Sequence, residues 1–397
     1  MSKLTVKGYN IIEKIGTGAF SEVFFVRCRR TGKCYAAKHL IDECSNLEDD
    51  VAFSEIQLMK SVPSHPHLNN IVDYVHENNR LTLILSLMDM SLFQYMQTRA
   101  RPFSEKRVRK MLFQIVQGLE YLHQNGIFHR DIKPENILVK IIGGGTTDKR
   151  EILQLADFGS VARIMDDPPR TMYIATRWYR APECMLTMGY YGPKMDIWAV
   201  GCCFYEMVTH KPLFKGENEV QMLDEIHKIL GSPSKDKLYR FKNLNPKNLG
   251  YQKRSPVDFR VHLPLMNAYG IDLIKKTLAY YPDQRICAKK LLSHVYFEDL
   301  IKHKKVSKFS LSHQNLNMIT NETSSTAEIS SLSWSARKLY KVSQASSVAS
   351  SNITNNTFHF LSNEEQYRKN RKLERFWNMN PKCTEKCKPA HCTRPSS

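Results

Sequence analysis

The chain has 397 residues and a mass of 46.1 kDa, with 42% hydrophobic and 24% charged residues, an ordinary balance for a protein with a sizeable core. No run approaches ~18 uninterrupted apolar residues, which excludes a membrane-spanning helix, and the opening MSKLTVKGYNIIEK has no apolar signal core, so secretion is not expected. The net charge is +19, of which +10 falls in residues 301–397, and this favours acidic partners without naming one.

Residues 9–40 read as three strands, with a glycine turn after the first and the hairpin signal Arg30-Thr-Gly-Lys33 before the third. Residues 48–60 read as a helix carrying Val51, Ile56 and Met59. LTLILSLM (81–88) predicts a buried strand. Ser104 followed by Glu105 opens a long helix to about 125, with Val108, Leu112, Ile115, Leu119 and Leu122 at helical spacing. Residues 194–300 read as mostly helical, with breaks at 189–192 and around 231–263. A β-rich front and a helix-rich back predict an α+β chain of two lobes with a cleft between them. Beyond about 305 serine rises to 17 of the last 97 residues and large aliphatics thin out, so a largely disordered basic tail is expected. Within it, 363–377 has the spacing of a short helix. Ten cysteines without a framework suggest reduced thiols. Cys383, Cys387, His391 and Cys392 fit no standard zinc spacing.

Chemistry-bearing residues cluster in the first two hundred positions. Gly16-Thr-Gly18-Ala-Phe20-Ser21-Glu-Val23 lies between two predicted strands, and by itself a GxG is weak. Lys38 ends the third strand, where a lysine could reach phosphates as a fixed positive charge, though by itself it reads as a surface lysine. Glu55, on the next helix, is a carboxylate able to hold that ammonium. His129-Arg130-Asp131-Ile-Lys133-Pro-Glu-Asn136 follows the long helix, Asp157-Phe158-Gly159 ends a strand, and Ala181-Pro182-Glu183 comes 24 residues after Asp157. In this order the three runs resemble the signature of eukaryotic protein kinases.

That resemblance covers about residues 9–298. It implies a bilobal kinase domain, with a small β-rich lobe over about 9–88 and a larger helical lobe over about 89–298, followed by the 299–397 tail. It also implies ATP and Mg2+ as cofactors and proteins as substrates. Asp131 then orients the substrate hydroxyl and Lys133 neutralises the moving phosphoryl group. Asn136 and Asp157 give Mg2+ its oxygen ligands, and Lys38, fixed by Glu55, holds the phosphates. Nucleotide contacts fall to Ile15, Gly16, Thr17, Gly18, Ala19, Phe20, Ser21, Val23, Ala36, Lys38, Leu85 and Met88. Phe158, Phe128 and Trp198 read as core. Asp196 and His129 read as braces of the catalytic loop, and Glu183 as the partner of Arg285.

Lys133 and Thr176 point within the family to serine/threonine substrates. TxYIATRWYRAPEC and the Gly231-Ser-Pro233 insert resemble the CMGC group, and DFGS with YYGPKMDIWAVGC its MAK/ICK/MOK family. The resemblance implies activation by phosphorylation of Tyr173, with Thr171 as a second site. Arg177 and Arg180 would receive the phosphotyrosine and shape a pocket for proline or a small residue after the target. It further implies a monomer in the cytoplasm, with cilium or nucleus as alternatives. No cyclin is expected, since residues 44–56 show no cyclin-binding helix signature, and specific nucleic-acid binding is not expected. Four departures stand out: Ser21 where a third glycine is usual, Met172 between the phosphosites, Ser54 where many relatives carry arginine, and about nine extra residues around 141–150. The competing readings are a pseudokinase scaffold, disfavoured by the intact Lys38, Glu55, Asp131, Asn136 and Asp157, and a charge-driven nucleic-acid binder.

Overall fold

The computed structural model describes residues 5–18, 21–43, 51–69, 71–143, 150–172, 175–244 and 252–302, with 51–55 and 235–236 as backbone only. The expectations for Ala19, Phe20, Tyr173, the Glu55 side chain, most of the 141–150 insert and the tail from 303 fall outside the described residues.

Tyr9–Thr17 (β1), Ser21–Cys28 (β2), Cys34–Leu40 (β3), Ile71–Glu77 (β4) and Arg80–Ser86 (β5) form one antiparallel sheet in the order β1-β2-β3-β5-β4. The β2–β3 turn is the one the sequence predicts, with Gly32 at φ +68°, a conformation that suits a residue without Cβ. Side-chain alternation sorts β3. Ala37 is fully buried in the small core with Val6, Tyr9, Val26 and Ile84, so Ala36 and Lys38 point to the other face. Val51–Lys60 (α1) precedes β4, buries Ile56 and Met59, and bears out the predicted helix from residue 51 onward. β5 ends at Ser86, two residues short of the expected strand, because Leu87 and Met88 leave the sheet to enter the second lobe.

The second lobe is mainly helical. Met90–Ser91 (β6) and Leu92–Gln97 (α2) lead to Glu105–Gln124 (α3). Val108, Leu112, Ile115, Leu119 and Leu122 of α3 are each no more than 1% exposed, and each contributes about 1.5–3 kcal/mol by burial. Ile127–Phe128 (β7), Ile137–Ile142 (β8), Arg150–Leu155 (β9) and Ala162–Arg163 (β10) carry the short sheets β6-β8-β9 and β10-β7. Pro182–Leu186 (α4), Lys194–Thr209 (α5), Glu219–Leu230 (α6), Phe259–His262 (α7), Ala268–Thr277 (α8) and Ala288–Leu292 (α9) complete the lobe.

α5 is buried nearly all round and forms the centre of the lobe. Gly201 lets α8 approach it, since a Cβ there would stand 2.7 Å from the Thr277 hydroxyl and 2.8 Å from Leu278. Trp198 and Phe128 are fully buried and Phe158 nearly so, as the sequence predicts. No helix among the described residues is long and apolar enough to cross a membrane.

Candidate active site

The site lies where the five-stranded sheet faces the loops that follow β7 and β9. Antiparallel register places Val23 opposite Lys38, Gly16 opposite Val23, and Ala36 opposite Leu85. Ala36 and Lys38 share the face of β3 that looks away from the small core, with Leu85 beside Ala36. Gly18 closes the β1–β2 turn by donating its N–H to the Ser21 carbonyl at 2.7 Å. Ser21 itself is buried, so the residue in place of a third glycine begins β2. Ile15 and Met88 are both half-buried.

Lys38 reaches across to the helical lobe and pairs with Asp157 at 2.5 Å. The Lys38 ammonium, the largest influence, holds the Asp157 carboxyl down at about 2 against the opposing effect of desolvation. Asp157 has φ +62°, a left-handed conformation that Asp tolerates better than most residues. Its side chain is still 44% open to the cleft.

Around Asp131 the catalytic-loop residues converge. Its Oδ1 accepts from the Thr176 N–H at 2.9 Å and the Thr176 hydroxyl at 3.0 Å. Its Oδ2 meets the Lys133 ammonium at 2.9 Å and the Asn136 amide nitrogen at 3.0 Å. Lys133 also donates to the Thr176 hydroxyl at 2.7 Å. The Asn136 amide nitrogen donates to the Asp131 carbonyl as well, which leaves its own carbonyl oxygen as an acceptor. Burial works against the charge on Lys133. The carboxylates of Asp131, Asp157 and Glu135 outweigh it and raise the ammonium's pKa.

Asp196, 1% exposed near the start of α5, accepts the N–H groups of His129 and Arg130 at 2.8 Å each and contacts the His123 ring at 2.9 Å. This bears out its reading as a brace. His129 is fully buried; its Nδ1 accepts the Asp131 N–H at 3.3 Å, so its Nε2 carries the proton and donates to the Ala156 carbonyl at 3.1 Å. A ring so placed braces the loop and is not free to act as a base. Glu183 and Arg285 form the expected buried pair, with oxygen–nitrogen distances of 2.6 and 2.9 Å.

Some partners escaped sequence reading. The Tyr179 hydroxyl donates to Glu206 on α5 at 2.7 Å, and burial raises that carboxyl to about 7. Arg180, read from sequence as a phosphotyrosine ligand, is only 2% exposed and is held within the fold by Glu219 at 3.0 Å and the Ala175 carbonyl at 3.1 Å. Arg177 is the more accessible of the two. Arg130 ties its guanidinium to the Ser160 and Val161 carbonyls. These contacts join positions 5 to 39 residues apart, and no local spacing marks them.

Chemically, the arrangement offers an oriented carboxylate beside a fixed ammonium, together with a second carboxylate, Asp157, and the Asn136 amide oxygen. Among the described residues no group of three His, Cys, Asp or Glu side chains could hold a metal by itself. A cation here would need further ligands from a bound molecule, which is how Mg2+ commonly sits with phosphates.

The protein kinase domain family matches residues 9–297. The chain belongs to the protein kinase family. It is 37% identical over 302 residues to the human MAPK/MAK/MRK overlapping kinase, covering 76% of this chain and 70% of that protein. Similarity at 32% extends over 297 residues to rat serine/threonine-protein kinase MAK and over 291 residues to mouse serine/threonine-protein kinase ICK, with 73% of this chain and 45% of each relative covered. These are CMGC-group kinases, in agreement with the motifs. The bilobal kinase fold and the family make this chain a protein serine/threonine kinase, and kinases of this family generally use ATP and Mg2+.

Proposed function

We propose that this kinase transfers the γ-phosphoryl group of ATP to serine or threonine hydroxyls of proteins, favouring proline or a small residue directly after the target. The observation that carries the reading is the Asp131–Lys133–Thr176 cluster facing the Lys38–Asp157 pair across one cleft.

The donor set fits Mg2+: Asp157 offers carboxylate oxygen and Asn136 an amide oxygen, both hard ligands. Bound Mg2+ with ATP supplies the phosphoryl group and screens its charge. Lys38 holds the α/β phosphates, and Glu55 is the carboxylate proposed to steady Lys38. Ile15 through Ser21, with Val23, Ala36, Leu85 and Met88, are the proposed walls for the nucleotide. Asp131 orients the substrate hydroxyl and takes up its proton. Lys133 balances charge as the phosphoryl group moves, so the chain's contribution is mostly position and electrostatics.

The preference after the target follows from Ala175. Its φ is +68°, and its carbonyl accepts from Arg180. On this reading the carbonyl, drawn toward Arg180, is turned away from the N–H of the next substrate residue. Proline lacks that N–H and forfeits nothing, whereas other residues leave a donor unpaired. Peptides with proline after the serine are expected to show kcat/KM at least roughly tenfold above leucine versions. Equal values would remove this part of the reading.

Phosphorylation of Tyr173 adds about −1.5 to −2 charges, for which Arg177 is the proposed counter-charge, and Thr171 is a second candidate. Tyr173→Phe is expected to lower turnover, measured on protein with its phosphorylation mapped by mass spectrometry. Unchanged turnover would contradict the activation scheme.

A further inference from the structure

A recess of about 470 Å3 opens between the end of α1, the 61–69 connection, β4 and β9. Met59, Val62, Leu68, Ile71 and Val72 give it apolar walls, and Val72 is 51% exposed. Gln154 of β9 also lines it. Its amide nitrogen donates to the Pro66 carbonyl at 3.1 Å, while its Oε1 is buried without a hydrogen-bond partner. A buried acceptor left unpaired costs about 1–3 kcal/mol. The recess thus suits an occupant that brings apolar side chains and an N–H donor together, as an extended peptide does.

The chain's own course supplies one. Phe297 packs on Phe113 of α3, Asp299 pairs with Arg109 at 3.1 Å, and the described residues end at Lys302. From Arg109 to Tyr121, α3 rises about 18 Å. At its far end Tyr121 stacks on His65, a residue that lines the recess, with ring centroids 4.6 Å apart. Phe309 comes seven residues after Lys302, a reach of at most about 25 Å when extended. Phe309 and Leu311 would fall on one side of an extended segment, with backbone donors between them.

We propose that residues 306–311 of this chain, led by Phe309 and Leu311, dock into this recess and couple the tail to the α1–β4 connection of the sheet lobe. The inference stands independently of the phosphotransfer reading.

The test uses the full chain with a photo-crosslinking residue, p-benzoylphenylalanine, at exposed Val72, irradiated in dilute solution and mapped by mass spectrometry. The expected product is an intrachain cross-link to 303–315, reduced at least tenfold by Phe309→Asp with Leu311→Asp. Hydrogen exchange of 61–69 in the otherwise unaltered chain should speed up at least threefold in the same double variant, and also in Val72→Arg, which changes an exposed position. Cross-links to another part of the tail, to a second copy of the chain, or to no peptide would overturn the proposal, as would unchanged exchange in both variants.

Discussion

Asp131 accepts four hydrogen bonds or ion-pair contacts on its two oxygens, about the capacity of a carboxylate. An incoming alcohol must therefore take one of these places, and the remaining contacts fix the direction in which the carboxylate faces it. The Thr176 hydroxyl is pivotal, because it accepts from Lys133 while donating to Asp131. Thr176→Val removes both functions, and kcat is expected to fall roughly 10- to 100-fold, as a misplacement of about 1 Å would cause. Thr176→Ser should stay within roughly threefold of the unaltered kinase. Steady-state kinetics on a serine peptide decide this, and a loss in Thr176→Ser equal to that in Thr176→Val would contradict the role given to the hydroxyl.

Glu206 carries a second residue-level consequence. Its folded pKa of about 7 lies above the ordinary carboxyl range because the group is buried. Below about pH 4.5 the group is protonated in both folded and unfolded chains and has no effect. As pH rises to 7 the unfolded chain loses the proton first, so the folded state loses stability, by up to on the order of 3 kcal/mol. Glu206→Gln keeps an acceptor for the Tyr179 hydroxyl and removes the titration. In urea unfolding, the variant's advantage over the unaltered kinase should grow between pH 4.5 and pH 7 and level off above. A difference that does not change with pH would contradict the assignment.

At the scale of elements, α5 holds the catalytic loop through Asp196, and α4 is pinned to the residues before α9 through Glu183 and Arg285. The latter pair is essentially inaccessible to water, with 0% and 1% exposure. Removing one partner leaves the other charge buried and unpaired. Arg285→Ala is therefore expected to cost about 3–5 kcal/mol, and the double change to alanine less than the sum of the two single ones. Denaturant titration of the three variants measures the coupling; strict additivity would contradict it.

Much of this was legible in sequence because the chemistry comes in contiguous runs. His129 to Asn136 and Asp157 to Gly159 are short runs recognisable without knowing the distant partners that hold them, and the apolar spacing of α3 predicted its buried face. What stayed hidden depends on chain reversal. The Tyr179–Glu206 and Arg180–Glu219 contacts unite the segment before α4 with α5 and α6, and nothing in either stretch alone announces the other. The expected strand 81–88 overran by two residues because Leu87 and Met88 are as apolar as a strand, yet turn off toward the second lobe.

At the scale of the whole molecule, the Lys38–Asp157 pair joins the lobes across 119 residues of sequence. Lys38 belongs to a sheet with its own small core, while Asp157 follows β9 in the helical lobe. The cleft chemistry depends on the two lobes meeting, and this ion pair is where they do so at the site. The proposal for residues 306–311 adds a second link, between the tail and the sheet lobe.

The most direct test of the account is Mg2+-dependent transfer of labelled phosphate from ATP to a serine-proline peptide. It should be run with the Tyr173-phosphorylated kinase and with Asp157→Ala at matched thermal stability. The expected result is stoichiometric phosphoserine from the unaltered protein, loss on chelating Mg2+, and a fall of at least about 1,000-fold in the variant. Transfer that survives Asp157→Ala undiminished, or no transfer from folded, phosphorylated protein, would contradict it.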